Sequence, residues 1–224
     1  MKIDLISDTH NKHKEIALKG GDLLIHSGDA TGRGQSGEIH AFLQWFQKQP
    51  YKYKIFVPGN HDSGFEKETA RYREECEKRG ITLLIDEGIE IEGLKIYGSP
   101  YTPTFLNWYF MRERGESIMR HWEAIPDDTQ ILITHGPAYQ IRDHVQNHFS
   151  PNGANVGCMD LRVRLEQLKD LRLHVFGHLH GESGVSNMGS YIAVNASVLD
   201  EEYKKAFKPK SLTIENGELT IEEN

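Results

Sequence analysis

"ILITHGPAYQIRDH", residues 131–144, holds the pattern on which the fold turns. Ile131 to Thr134 is a short apolar run closed by a Gly-Pro corner, which reads as a strand buried on both faces. His135 stands at its tip, where an apolar strand has no obvious use for an imidazole. Four other runs also end on polar or charged donors. "KIDLI" (2–6) leads into Ser7-Asp8-Thr9-His10, and "DLLIH" (22–26) into Ser27-Gly28-Asp29. "YKIFV" (53–57) leads into Pro58-Gly59-Asn60-His61-Asp62, and "LHVF" (173–176) into Gly177-His178-Leu179-His180.

"LKIYG" (94–98) and "YIAVNA" (191–196) read as further strands, and amphipathic stretches lie between the runs. "SGEIHAFLQWFQKQ" (36–49) sets Ile39, Phe42, Leu43 and Phe46 at helical spacing, behind a Ser36 N-cap and Glu38 in the first turn. "KETARYREECEKRG" (67–80) ends on Gly80, a helix stop. "GCMDLRVRLEQLKDL" (157–171) carries Leu161, Leu165 and Leu168 on one face. "DEGIEIEGLKIYG" (86–98) and "SLTIENGELTIEE" (211–223) read as hairpins, turning at Glu92-Gly93 and Asn216-Gly217. Strands alternating with helices, joined by hairpins, predict an α/β protein with mixed sheets inside and helices outside. No repeat, low-complexity tract or long linker interrupts the 224 residues, so a single domain over 1–224 is expected.

The formal net charge is −7, from 33 acidic against 26 basic residues. Basic residues are interspersed with acids, as in "EKETARYREECEKRG" (66–80). That pattern argues against a nucleic-acid polymer as partner, which would need a phosphate-neutralising stripe. It leaves room for a small anion drawn by metal ions. No stretch approaches the ~20 apolar residues of a membrane span. The amino-terminal apolar run meets Asp8 too soon to be a signal peptide. Cys76 and Cys158 form no CxxC pattern, so neither a disulfide scaffold nor a thiolate zinc site is expected. The expected compartment is the cytoplasm.

Ligands of open α/β sheets sit at the carboxyl ends of strands, where all these donors fall. Unpaired polar groups gathered at one buried edge are costly, and carboxylates brought together repel. Divalent cations remove both penalties. Imidazole and carboxylate without thiolate suit manganese, iron, zinc or nickel. Gly28, Gly59 and Gly177 each precede a donor, where the chain leaves its strand sharply and lets an ion or phosphate come close.

The ordered set "DTH" (8–10), "GD" (28–29), "GNHD" (59–62), "THG" (134–136) and "GHLH" (177–180) resembles the calcineurin-like metallophosphoesterase superfamily, over nearly the whole chain. "KYKIFVPGNHD", "GLKIYGSPYTPTF", "ILITHGPA" and "HVFGHLH" look like its small metallophosphoesterase-domain-containing branch of the fetal-brain type. The resemblance implies a four-layer α/β/β/α sandwich of two mixed sheets flanked by helices. It implies two divalent metal ions, manganese favoured over iron, zinc or nickel. Asp8, His10 and His180 would hold one, Asn60, His135 and His178 the other, and Asp29 would bridge them. Such a pair shares a hydroxide, lowers its pKa and clamps the phosphoryl oxygens for in-line attack. His61 would sit beside the substrate as an acid or hydrogen-bond donor, with Asn60 also within reach of it.

The protein-phosphatase branch reads G-D-x-x-D-R-G and R-G-N-H-E, where this chain has "GDATGRG" (28–34) and "PGNHD" (58–62). Gly32 thus replaces the acid that would orient His61. Arg33 falls at the arginine position and could reach the phosphate, or be a solvated loop residue. Arg142, on the loop beyond His135, is a second candidate for substrate contact, with a surface salt bridge to Asp143 or a neighbour as the alternative. "YTPTFLNWYF" (101–110) is expected to rim the metals. Tyr101, Trp108 and Tyr109 could stack a nucleobase there, fill the core, or meet a second copy in a homodimer. His26 and His174 should be packed inside strands, His40 and His121 on helix surfaces, and His144 and His148 in a loop that could approach the site.

The reading that follows is a metal-dependent phosphoesterase acting on small substrates, foremost phosphodiesters such as cyclic nucleotides, or phosphomonoesters. Alternatives are a protein Ser/Thr phosphatase or nuclease of the same superfamily. From another class comes a non-catalytic metal-binding scaffold that docks a partner, which the complete ligand set disfavours.

Overall fold

A computed structural model describes residues 1–147, 150–215 and 218–222. His148 and the turn expected at Asn216-Gly217 lie outside them. Two six-stranded sheets carry the architecture. The first runs, in spatial order, Glu218–Ile221, Lys210–Glu215, Lys2–Ile6, Gly21–His26, Tyr51–Phe56 and Thr82–Leu83. Its last four strands are parallel, and the hairpin formed by the other two joins Lys2–Ile6 antiparallel. The second sheet runs Gly184–Asn187, Ile192–Asn195, Leu173–Phe176, Ile131–Thr134, Leu94–Ser99 and Glu87–Ile91. Its four central strands are parallel and both edges antiparallel.

Side-chain alternation within each strand explains the layering. Ile3 and Leu5, Leu23 and Ile25, and Ile55 face the second sheet, where Ile131 and Ile133, Leu173 and Val175 meet them. The residues between point outward: Ile6, Leu24 and Phe56 pack under helix Ser36–Gln47 and helix Thr69–Glu77, through Phe42, Leu43, Phe46, Tyr72 and Cys76. On the other side Tyr97, Leu132 and Phe176 pack under Glu116–Glu123 and Met159–Gln167, through Ile118, Trp122, Leu161 and Leu165. The order is helix, sheet, sheet, helix, as the resemblance implied. Strands buried on both faces must be apolar at consecutive positions, which is why the runs look continuous.

The helix over 36–49 is shorter than expected and is capped by Gln35, with Ser36 inside the first turn. Glu38 takes the backbone N–H of Gln35 at 2.9 Å and of Arg33 at 3.1 Å, so it fastens the loop leading in from Asp29. None of the helices among the described residues is long and apolar enough to cross a membrane.

Phe42 is fully buried and stacks on Phe46 with centroids 5.1 Å apart. Phe42→Ala is expected to cost ~3–5 kcal/mol of unfolding free energy, measured by urea denaturation.

Candidate metal centre

Strand register brings the donors together. Ile6 pairs with His26, and His26 with Phe56, so three parallel strands of the first sheet end level and their loops emerge side by side. Val175 likewise pairs with Ile133 in the second sheet. The loops are then tied across: Asp8 N–H donates to Gly28 O at 2.9 Å, His10 N–H to Asp29 O at 3.0 Å, and Gly177 N–H to His135 O at 2.9 Å. The sheets meet where His178 N–H donates to the Asp8 carboxylate at 3.0 Å.

Asp8, His10, Asp29 and His178 have φ of +55°, +38°, +53° and +71°. Left-handed backbone at a residue with a side chain costs of order 1–2 kcal/mol, so the surrounding structure over-determines these four positions. Gly28 and Gly177 serve a tighter purpose than access for an ion. A Cβ on Gly28 would strike the His135 ring, and one on Gly177 would strike Ser7 and Asp8. Glycine there lets one donor lie against the backbone that precedes another.

Three overlapping groups of candidate ligands result among the described residues, one of them His10, Asp29 and His61 and the other two each holding a different trio. Asp8, His10 and His180 offer ligand atoms within 4.8 Å of one another, and so do Asp29, His135 and His178. Asp29 stands between them: Oδ2 is 3.7 Å from His10 Nε2 and Oδ1 is 3.4 Å from His135 Nε2. Asn60 Oδ1 lies 3.0 Å from His135 Nε2, adding a neutral oxygen to the second cluster. The rings are oriented from behind. His135 Nδ1 donates to Ser27 O at 3.0 Å and His180 Nδ1 to Asp200 O at 2.8 Å, which turns both Nε2 atoms inward. Ser197 Oγ holds Asp8 Oδ2 at 2.6 Å. Within this cage His10 Nε2 and His180 Nε2 face each other at 3.2 Å. Two buried ring nitrogens so placed share a proton or are bridged by a cation, and the donor set fits divalent ions at both clusters.

Electrostatics shows what compensates the carboxylates before any ion binds. Burial works against a charged His135, but Asp29 beside it prevails and pushes it up to about 9. Burial is likewise outweighed at His180 by Asp8, again to about 9. Burial brings His10 down to about 4, against the pull of Asp29 and Asp8, and His178 down to about 3. Protons therefore sit on two imidazoles while the other two are ready as lone pairs.

Asp62 is fully buried and takes the N–H of Gly59 at 2.9 Å, Ala30 at 3.2 Å and Thr31 at 3.0 Å, stitching the Asp29 loop to the Asn60 loop. Burial, then the nearby Asp29, raises its carboxyl to about 6. His61 Nδ1 donates to Gly32 O at 2.7 Å. The residue that replaces the orienting acid thus does the orienting through its carbonyl. His61 also stacks on Trp108, centroids 4.1 Å apart and 29° between planes, and its Nε2 lies 3.9 Å from Asp29 Oδ2.

A cavity of about 610 Å³ opens over the donors, walled by Phe105, Leu106, Trp108, Val145, Val156 and Tyr203. Other sequence expectations fare differently. Arg142 does not line it: its guanidinium donates to the carbonyls of Glu182 at 3.1 Å and Val185 at 2.7 Å. Asp143 is no partner of Arg142, since it receives the N–H of Gln140 and of Gly157, each at 2.9 Å. Arg33 is exposed and lines an adjoining groove. Of the three aromatics singled out, only Trp108 reaches the cavity; Tyr101 stacks on His121 at 3.7 Å, and Tyr109 packs against the outer core. His121 is not at the surface, being only 12% exposed and 2.6 Å from Asp86. Phe105, whose ring is 5.2 Å from that of His178, belongs to the stretch 101–110 expected to rim the site, whereas Tyr203, 4.8 Å from the ring of His10, had no motif to announce it.

A cation held by His135 and His180 would have to displace the protons on both. Apparent manganese affinity should therefore rise as pH increases from about 6 towards about 9, with protons released. Calorimetry in two buffers of different ionisation enthalpy reads that release, and pH-independent affinity would contradict it.

A family model described as calcineurin-like phosphoesterase matches residues 1–182. Metallophosphoesterase domain-containing protein 1 from Homo sapiens and that from Mus musculus are each 34% identical over 225 residues, covering 91% of this chain and 68% of theirs. A solved structure from Thermus thermophilus aligns with a TM-score of 0.60 at 14% identity, covering 99% of this chain and 97% of that one. An archaeal phosphodiesterase aligns with a TM-score of 0.50 at 16% identity, covering 99% and 98%. At such identities the structures speak to the fold alone, whereas the sequence matches span the strand-end donors. This chain belongs to the calcineurin-like phosphoesterase family and is a metal-dependent phosphoric ester hydrolase.

Proposed function

We propose that the chain is a binuclear phosphodiesterase for small substrates, cyclic nucleotides among them. One observation carries the reading: the two oxygens of Asp29 face different histidine clusters, 3.7 Å from His10 and 3.4 Å from His135. A carboxylate so shared suits a bridging ligand between two ions, for which manganese is our choice. When bound, the pair would polarise the phosphoryl oxygens and supply an activated water as nucleophile.

The protein's own groups supply the remainder. Asp8, His10 and His180 hold one side of the phosphoryl group's seat, and Asn60, His135 and His178 the other, with Asp29 fixing their separation. The Gly32 carbonyl keeps the proton on His61 Nδ1, so Nε2 is the edge offered to substrate. Protonated there, His61 donates to the leaving oxygen or to a phosphoryl oxygen. Trp108 stops the ring from turning away. Phe105, Leu106, Val145 and Val156 exclude water and accept an aromatic or nucleoside-sized group. Cys76 and Cys158, both free and buried, suit a reducing compartment such as the cytoplasm.

Asp29→Asn should bind fewer than two manganese ions and lose at least ~100-fold in kcat/KM on bis(4-nitrophenyl) phosphate; full activity with both metals retained would refute the bridge. A panel of 4-nitrophenyl phosphate, its bis ester and 3′,5′-cyclic AMP is expected to rank the diesters first. His61→Gln should slow an alkyl leaving group ~10²–10⁴-fold and 4-nitrophenolate, which needs little protonation, much less. Equal losses would remove His61 from the role of leaving-group acid.

A further inference from the structure

His61 and Trp108 line two hollows. Besides the cavity over the donors, they border a groove of about 670 Å³ whose other walls include Arg33, Ser36, Lys67, Asn107 and Tyr109. The stacked pair is a partition with the reaction on one side and this groove on the other.

Two cations serve the groove. The Arg33 backbone is pinned, its N–H on Glu38 at 3.1 Å and its carbonyl under Ser63 Oγ at 2.8 Å, while its guanidinium makes no ion pair among the described residues. Lys67 Nζ lies over the Tyr109 ring, 4.4 Å from its centroid, and also makes no ion pair among those residues. Glu68, the acid at this groove, is committed to Arg71 at 2.7 Å. The groove's own lining therefore carries two cations, unpaired among the described residues, against one acid already engaged with Arg71, with the Glu38 carboxylate held on the backbone N–H of Arg33 beside it, in a chain of net charge −7.

We propose that this groove is a subsite for a second anionic group, phosphate or carboxylate, carried by the substrate on its leaving side. The inference rests on the reading of His61 as the group that meets the leaving oxygen. A leaving group that meets His61 Nε2 and is long enough to pass the His61–Trp108 edge would enter the groove that Arg33 and Lys67 line. Arg33 offers the forked geometry that an oxyanion accepts twice, and Lys67 a point charge beside it. The preferred diester then has an anionic leaving alcohol, and a neutral one leaves the groove unused.

The test compares bis(4-nitrophenyl) phosphate with bis(3-carboxy-4-nitrophenyl) phosphate on the manganese-loaded protein and on its Arg33→Gln/Lys67→Gln form. The ratio of kcat/KM for the carboxylated ester over the plain one should fall about tenfold in the variant, the equivalent of one charge-assisted hydrogen bond. An unchanged ratio overturns the subsite. A second readout needs no turnover: calorimetric titration with 5-hydroxy-2-nitrobenzoate, the carboxylated leaving group, against 4-nitrophenol. The unaltered protein should hold the carboxylate more tightly and the double variant lose that preference; equal binding throughout overturns the subsite. Absence of hydrolysis, with the binding preference intact, would count against the proposed phosphodiesterase alone.

Discussion

The carboxylate of Asp29 is where two halves of the molecule depend on each other. It belongs to the first sheet, yet one of its oxygens faces His135, which ends a strand of the second. Burying that charge is tolerable only because imidazoles, and on our reading cations, surround it. The packing of the sheets and the chemistry of their common edge are thus one problem. Apolar contacts between Ile3, Leu5, Ile25, Ile133 and Val175 hold the strand ends at the spacing the donors need.

The same constraint accounts for the backbone. Four donors sit in left-handed conformations, and the glycines before Asp29 and His178 admit a neighbouring side chain where a Cβ would be. Local preference is overruled at these positions by hydrogen bonds from the loops around them, those on Asp62 and Glu38 above all. Neither acid touches the donors' ring nitrogens, but both decide where the loops go.

Much of this is legible in the residues. Apolar runs ending on Asp, His or Asn mark the strand ends, because a doubly buried strand has no other reason to stop on such groups. Other elements leave weaker traces. Helix Glu116–Glu123 buries only Ile118 and Trp122 and is capped by Gly115, so it lacks both a long apolar stripe and an N-cap hydroxyl or carboxylate. Ser150–Asn155 contains Pro-Asn-Gly, a turn by composition, yet pairs as a strand with His144–Asn147. Tyr203 meets His10 and His180 across the chain, a contact that no local pattern encodes. The loop position of Arg142 suggests anions, whereas the fold surrounds its guanidinium with carbonyls.

The donors are strung from Asp8 to His180, and the strand bearing the first of them is flanked by a hairpin that follows the last. A ribosome releases these pieces in order, so a nascent chain displays Asp8, His10, Asp29 and Asn60 long before His178 and His180 emerge. Until then the full set of donors is not present. Assembly of the centre therefore waits until those last donors are out.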